Sequence, residues 1–175
     1  MLDRLRLGFE RLLATIVALL LVALTVIVVV AVIYRKSGYS LVWYDEVASV
    51  LLAWLTYYGA ALAALKRAHI GFTGLVDSLQ PRLRVPAVLL AEACVIGFFA
   101  LLAWTGWRVL QVLHGVNLIS LPWVPVQLTQ SVIPVGAVLF IIAQLLTLPE
   151  VLRRARQGTR SPGEVTAVIE EQAAP

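Results

Sequence analysis

Glu92, Cys94, His69 and His114 are the side chains with which this chain could do chemistry beside its long apolar runs. Two facing histidines could ligate a haem, but His69 and His114 end apolar runs on opposite sides of a membrane and cannot share one iron. A thiol–disulfide enzyme needs paired cysteines, and Cys94 is the single cysteine of the sequence. Glu92 could pass a proton if it faced a cavity near the middle of a helix, yet it lies nearer the end of its run. No glycine-rich phosphate loop, His-Glu-x-x-His pair or nucleophile elbow occurs. The chain reads as having no catalytic chemistry, cofactor or metal of its own. The alternative is a self-contained exporter or sensor-like oligomer built on Glu92.

The elements that position these residues must lie in lipid. Hydrophobic residues make up 61% of the 175 and charged ones 14%, and the mean hydropathy is +0.90. A soluble domain of this size has too little interior to hide so much apolar surface. The formal net charge of +4 does not form a nucleic-acid-binding face. Basic residues gather at the edges of apolar runs, where they orient spans, so membrane lipids are the implied partner and nucleic acid is not.

Four runs can cross roughly 30 Å of hydrocarbon as helices: residues 12–34, 43–65, 86–113 and 126–148. The first is rich in Val and Ile, which would favour strand in water. In lipid the backbone must satisfy itself, so helix is expected. It ends in Tyr34-Arg35-Lys36 and not in a small-residue cleavage site, which makes it an anchor and not a signal peptide. Residues 1–11 read either as an amphipathic interfacial helix or as a frayed basic tail. Phe72, Leu75, Val76, Leu79 and Leu83 share one helical face, predicting a surface helix over 72–83 broken by Pro81. Pro134 should kink the fourth span or free a carbonyl, with Ser131 at hand to satisfy the backbone. The tail, 149–175, begins basic and continues polar, and reads as disordered.

Orientation follows from the basic residues. Arg4, Arg6 and Arg11, then Lys66, Arg67, Arg82 and Arg84, then Arg153, Arg154, Arg156 and Arg160 lie on one side, against Arg35 and Lys36 on the other. Both termini are therefore expected in the cytoplasm. The fold class is an all-α integral membrane protein of four transmembrane helices, with short interfacial helices.

Within that frame a few residues carry specific expectations. Ser49, Ala53, Thr56, Ala60 and Ala63 recur at alternating spacings of four and three, a small-residue stripe suited to close helix approach. It serves either packing within the chain or a seam with another subunit. Arg35 lies about ten residues from Glu46 across a short turn and is expected to pair with it. Glu92 and Arg108 either face protein or water, or snorkel to the headgroups. Lys66, Arg67 and His69 contact either headgroups or a partner.

Taken together, these residues resemble a family. Arg35, Trp43-Tyr44-Asp45-Glu46, Trp54, Gly59-Ala60, Lys66-Arg67-Ala68-His69-Ile70, Leu121-Pro122-Trp123 and Ile133-Pro134-Val135-Gly136 occur in order between the right spans. The pattern is similar to the small membrane subunit of tripartite ATP-independent periplasmic (TRAP) transporters and covers most of residues 34–148. One departure is Asp45-Glu46, where the family often has two glutamates. The resemblance implies a non-catalytic subunit of a bacterial inner membrane. Its partners would be a large TRAP membrane subunit of about twelve spans and a periplasmic substrate-binding protein that delivers an organic acid. The large subunit would move its cargo by an ion-coupled, usually sodium-coupled, elevator motion while this chain braces the scaffold. Candidate structural or subunit-interface residues are Arg35, Trp43, Asp45, Glu46, the stripe from Ser49 to Ala63, Lys66, Arg67, His69 and Pro134.

Overall fold

The computed structural model describes residues 2–39, 41–66 and 81–157. They form α1 (Leu2–Lys36), α2 (Tyr44–Leu65), α3 (Pro81–Val112), α4 (Val126–Gln130) and α5 (Val132–Gln157). Four stretches are long and apolar enough to cross a membrane: Arg6–Lys36, Tyr44–Leu65, Leu83–Val112 and Val126–Arg153. The expected surface helix over 72–83 falls largely outside the described residues, as do Arg67, His69 and the end of the tail.

The first helix runs unbroken through residues 2–36, so the expected interfacial segment and the first span are one 35-residue rod. At 1.5 Å per residue it is about 52 Å long, well beyond the hydrocarbon thickness. Its end is set by Gly38 at φ 84°. The Tyr39 N–H returns to Tyr34 O at 3.1 Å and the Gly38 N–H to Arg35 O at 3.3 Å. This closes a Schellman turn that a residue with a Cβ would strain.

Pro81 opens α3 at a position where its missing N–H costs no hydrogen bond. Pro86, expected to begin the third span, lies one turn inside. The fourth span is divided at Ser131, three residues before Pro134. Pro134 cannot donate to Gln130, and the Ser131 hydroxyl bonds back to Leu128 O at 2.7 Å. The serine thus serves the carbonyl of Leu128, one turn before the interruption.

The helices stand in an open row. α1 packs on α2, α2 on α5, and α5 on α3. Buried apolar side chains concentrate in one half, where Leu13, Ala61, Ala64, Leu65, Phe140 and Ala143 form the core. Phe99 of α3 stacks on Phe140 of α5 with centroids 3.7 Å apart. Below that core Arg6 bonds Glu150 at 2.9 Å and also Leu65 O at 3.3 Å, while Lys66 pairs with Glu10 at 3.3 Å. Lys66 is thus engaged within the chain. We call this the inner end, since it carries residues 6, 66 and 150. The opposite end holds the turn after α1, the start of α2 and residues 113–125.

Candidate functional site: the outer seam of the second helix

The first turn of α2 carries Asp45 and Glu46, acidic residues placed favourably at a helix N-terminus whose residue before the helix, Trp43, gives no side-chain cap. Glu46 does not pair with Arg35. Its two carboxylate oxygens accept the backbone N–H groups of Ile119, at 3.1 Å, and Ser120, at 2.8 Å. The physical reason is supply and demand. Residues 114–125 contain no Lys, Arg, Asp or Glu, and their turn leaves two adjacent amides without backbone acceptors. A carboxylate with two oxygens meets both, through charge-assisted bonds. Arg35 instead lines an open depression with Leu41, Val42, Tyr44 and Asp45.

The loop that Glu46 grips is itself built. Gly115 takes φ 83°, a value that favours glycine. Leu118 N–H bonds Val124 O at 3.0 Å and Val126 N–H bonds Val116 O at 2.9 Å, around an antiparallel bridge of Asn117 and Pro125. Its tip is a turn closed by Val124 N–H on Leu121 O at 2.9 Å, with Pro122 in the position where its fixed φ is preset. The loop displays Ile119 at 93% exposure and Trp123 at 77%. Gln127 Nε2 ties the loop's far side to Leu110 O of α3 at 2.8 Å.

Two turns below Glu46, the Trp54 indole N–H donates to Thr129 O at 3.0 Å. That carbonyl lies where the fourth span is interrupted, so the indole supplies a donor that the helix ladder does not. One turn further down, α2 and α5 nearly touch. A Cβ built on Gly136 would stand 2.7 Å from Tyr57 Cβ, and one on Gly106 of α3 would stand 2.9 Å from Ile133 Cγ2. Only glycine allows either approach.

Segments that the sequence presents far apart are therefore joined pairwise. Trp43-Tyr44-Asp45-Glu46 meets the Leu121-Pro122-Trp123 loop, Trp54 meets the interruption before Pro134, and the turn holding Trp54 meets Gly136 through Tyr57. A comparison with protein-family models matches residues 24–154 to the family described as tripartite ATP-independent periplasmic transporters, DctQ component.

The chain belongs to this family.

It is accordingly a multi-pass membrane protein and a transporter component. A search among curated proteins gave no match.

The DctQ membership and the seam together re-sort the sequence candidates. Glu46, Trp54 and Pro134 converge on the outer seam, while Gly59, with nothing within 4 Å of an added Cβ, contacts no neighbour closely. The small-residue stripe is divided. Its member Ala60 packs against the core beside Ala61 and Ala64. Ser49 and Thr56 are exposed, and their hydroxyls bond Asp45 O at 2.7 Å and Leu52 O at 2.8 Å within α2 itself. Glu92 is 9% exposed and turned onto α5, where the Gln144 amide donates to it. It does not snorkel. Arg108 does reach outward and stacks over Trp104, with its Cζ 5.6 Å from the ring centre.

Thr129, Gln127, Ile119, Ser120 and Gly106 are the seam residues that sequence reasoning missed. The available signal was the uncharged loop itself, whose bare amides need an acceptor. Among the described residues no three His, Cys, Asp or Glu side chains gather where a metal ion could sit.

Proposed function

We propose that this DctQ component is the static brace of a TRAP transporter. It extends the scaffold of a large, ion-coupled elevator subunit that imports an organic acid delivered by a periplasmic binding protein. Residence in the bacterial inner membrane with both termini in the cytoplasm belongs to the same reading, since eleven basic residues flank one side and two the other.

The observation that carries the proposal is the open row. A chain that folds for its own sake closes its helices around a core. Here α1 and α3 stand at opposite ends of a row, and one face of the outer half of α2 remains uncovered, with Ser49, Leu52 and Thr56 exposed. An open row offers a large scaffold a wide lateral surface, and small residues let its helices approach closely. Arg35, Trp43, Asp45 and the stripe from Ser49 to Ala63 are the contact candidates, with Arg67 and His69 on the inner side. Glu46 and Pro134 act indirectly, by shaping the outer seam.

The test is affinity purification of the tagged chain from its native membrane in mild detergent. A stoichiometric membrane partner of about twelve spans supports the brace. Recovery of the chain alone, or only with copies of itself, sinks it.

A further inference from the structure

Between the Glu46 and Trp54 braces of the outer seam lies an open pocket of about 250 Å³. Val47, Val50 and Leu51 of α2 form one wall. Leu118 and Leu121 of the loop and Leu128 of α4 face them. Its one polar residue, Thr129, has both oxygens engaged: the hydroxyl donates to Val126 O at 2.8 Å and the carbonyl accepts from Trp54 at 3.0 Å. The lining therefore offers water little to bond and suits an apolar occupant.

We infer that this pocket is a binding slot for one acyl chain of an outer-leaflet phospholipid. Three features lead there. First, the slot is preformed. Glu46 on Ile119 and Ser120 holds its upper edge, and Trp54 on Thr129 holds its lower edge. The walls cannot collapse together while both braces stand. Second, the slot has length. Glu46 and Trp54 are about 12 Å apart along α2, so the slot runs parallel to a membrane-spanning helix. An acyl chain lies along that direction, whereas a side chain from a neighbouring helix projects across it and fills only a point. Third, the depth fits. The lining residues of α2 lie within about 15 Å of its outer end, beneath a rim that is polar at Glu46 and Ser120 and hydrocarbon below. The inference rests on the proposed orientation, with both termini in the cytoplasm, but not on the chain bracing a partner.

The test uses the full chain in vesicles of phosphatidylethanolamine and phosphatidylglycerol, with a trace of phosphatidylcholine carrying a diazirine at one acyl end. After irradiation, adducts are located by mass spectrometry. Adducts should be enriched on Val50, Leu51, Leu121 and Leu128 over the outward-facing reference residues Val22 and Leu90. That enrichment should be lost in both Val50→Phe and Leu121→Phe, which fill the slot from separate elements, while labelling of Val22 and Leu90 persists and reports intact insertion. Labelling spread evenly over all outward apolar residues overturns the assignment, as does slot labelling that neither filling variant reduces. Enrichment that disappears when the chain is labelled within its native complex also overturns it, because a partner's side chain then occupies the slot.

Discussion

The two ends of the helix row are held by different physics. The inner end has the packed apolar core around Leu13, Leu65 and Phe140, with ion pairs at its margin. The outer end buries few apolar side chains and is joined by directional bonds, from a carboxylate, an indole and an amide to single backbone groups. Packing tolerates exchange of one apolar residue for another of similar volume. A carboxylate that must meet two amides at once does not tolerate exchange. That difference accounts for Glu46, Trp54 and Gly136 on the outer seam and its close helix contact, while the core is built of interchangeable Leu, Ala and Phe.

The largest effect that could break this contrast sits where the two regimes meet. Gly136→Val should destabilise the protein by about 3 kcal/mol, since its side chain must displace Tyr57. Unfolding of the purified chain in bicelles would measure it, and an unchanged transition would mean that α2 and α5 do not touch there. Trp54→Phe comes next. It keeps most of the ring but leaves Thr129 O without its donor, a loss of about 1 kcal/mol in the same assay.

Glu46→Ala should act locally. Hydrogen exchange at Ile119 and Ser120 should accelerate while exchange at Ala61 and Ala64 stays slow, and Glu46→Gln, with one acceptor oxygen left, should fall between. Equal acceleration at both ends would erase the distinction drawn above. The smallest effect is expected at the inner margin. A double-mutant cycle of Arg6→Ala and Glu150→Ala should return a coupling below about 1 kcal/mol, weaker in high salt, because both side chains are partly exposed.

Much of this fold was legible beforehand because lipid permits few solutions. Run lengths yielded four spans, and Pro134 marked the interruption of the fourth span. The seam was legible only in pieces. Arg35 was the nearest opposite charge to Glu46 along the chain, and nearness in sequence suggested the pair. The actual partners are uncharged amides more than seventy residues away, which leave no mark in a list of side chains. Glu92 was left open between protein and headgroups for a related reason. Gln144, which donates to it, is neutral and leaves no mark in the charge pattern. The stripe is split between the two uses its spacing allows, with Ala60 against the core and Ser49 and Thr56 exposed.

The open row also has a mechanical consequence. Three seams connected in series add their compliances, so small rotations at each accumulate between the first and last members. At the inner end the Arg6–Glu150 pair reaches past α2 and short-circuits the series, and the stacked Phe99 and Phe140 stiffen its last joint. At the outer end, among the described residues, no ion pair or side-chain hydrogen bond ties α1 to α5 or to the loop before it. The isolated chain should therefore splay like a fan pinned at its base, with the separation between the tips of α1 and α3 broadly distributed and that between their bases narrow.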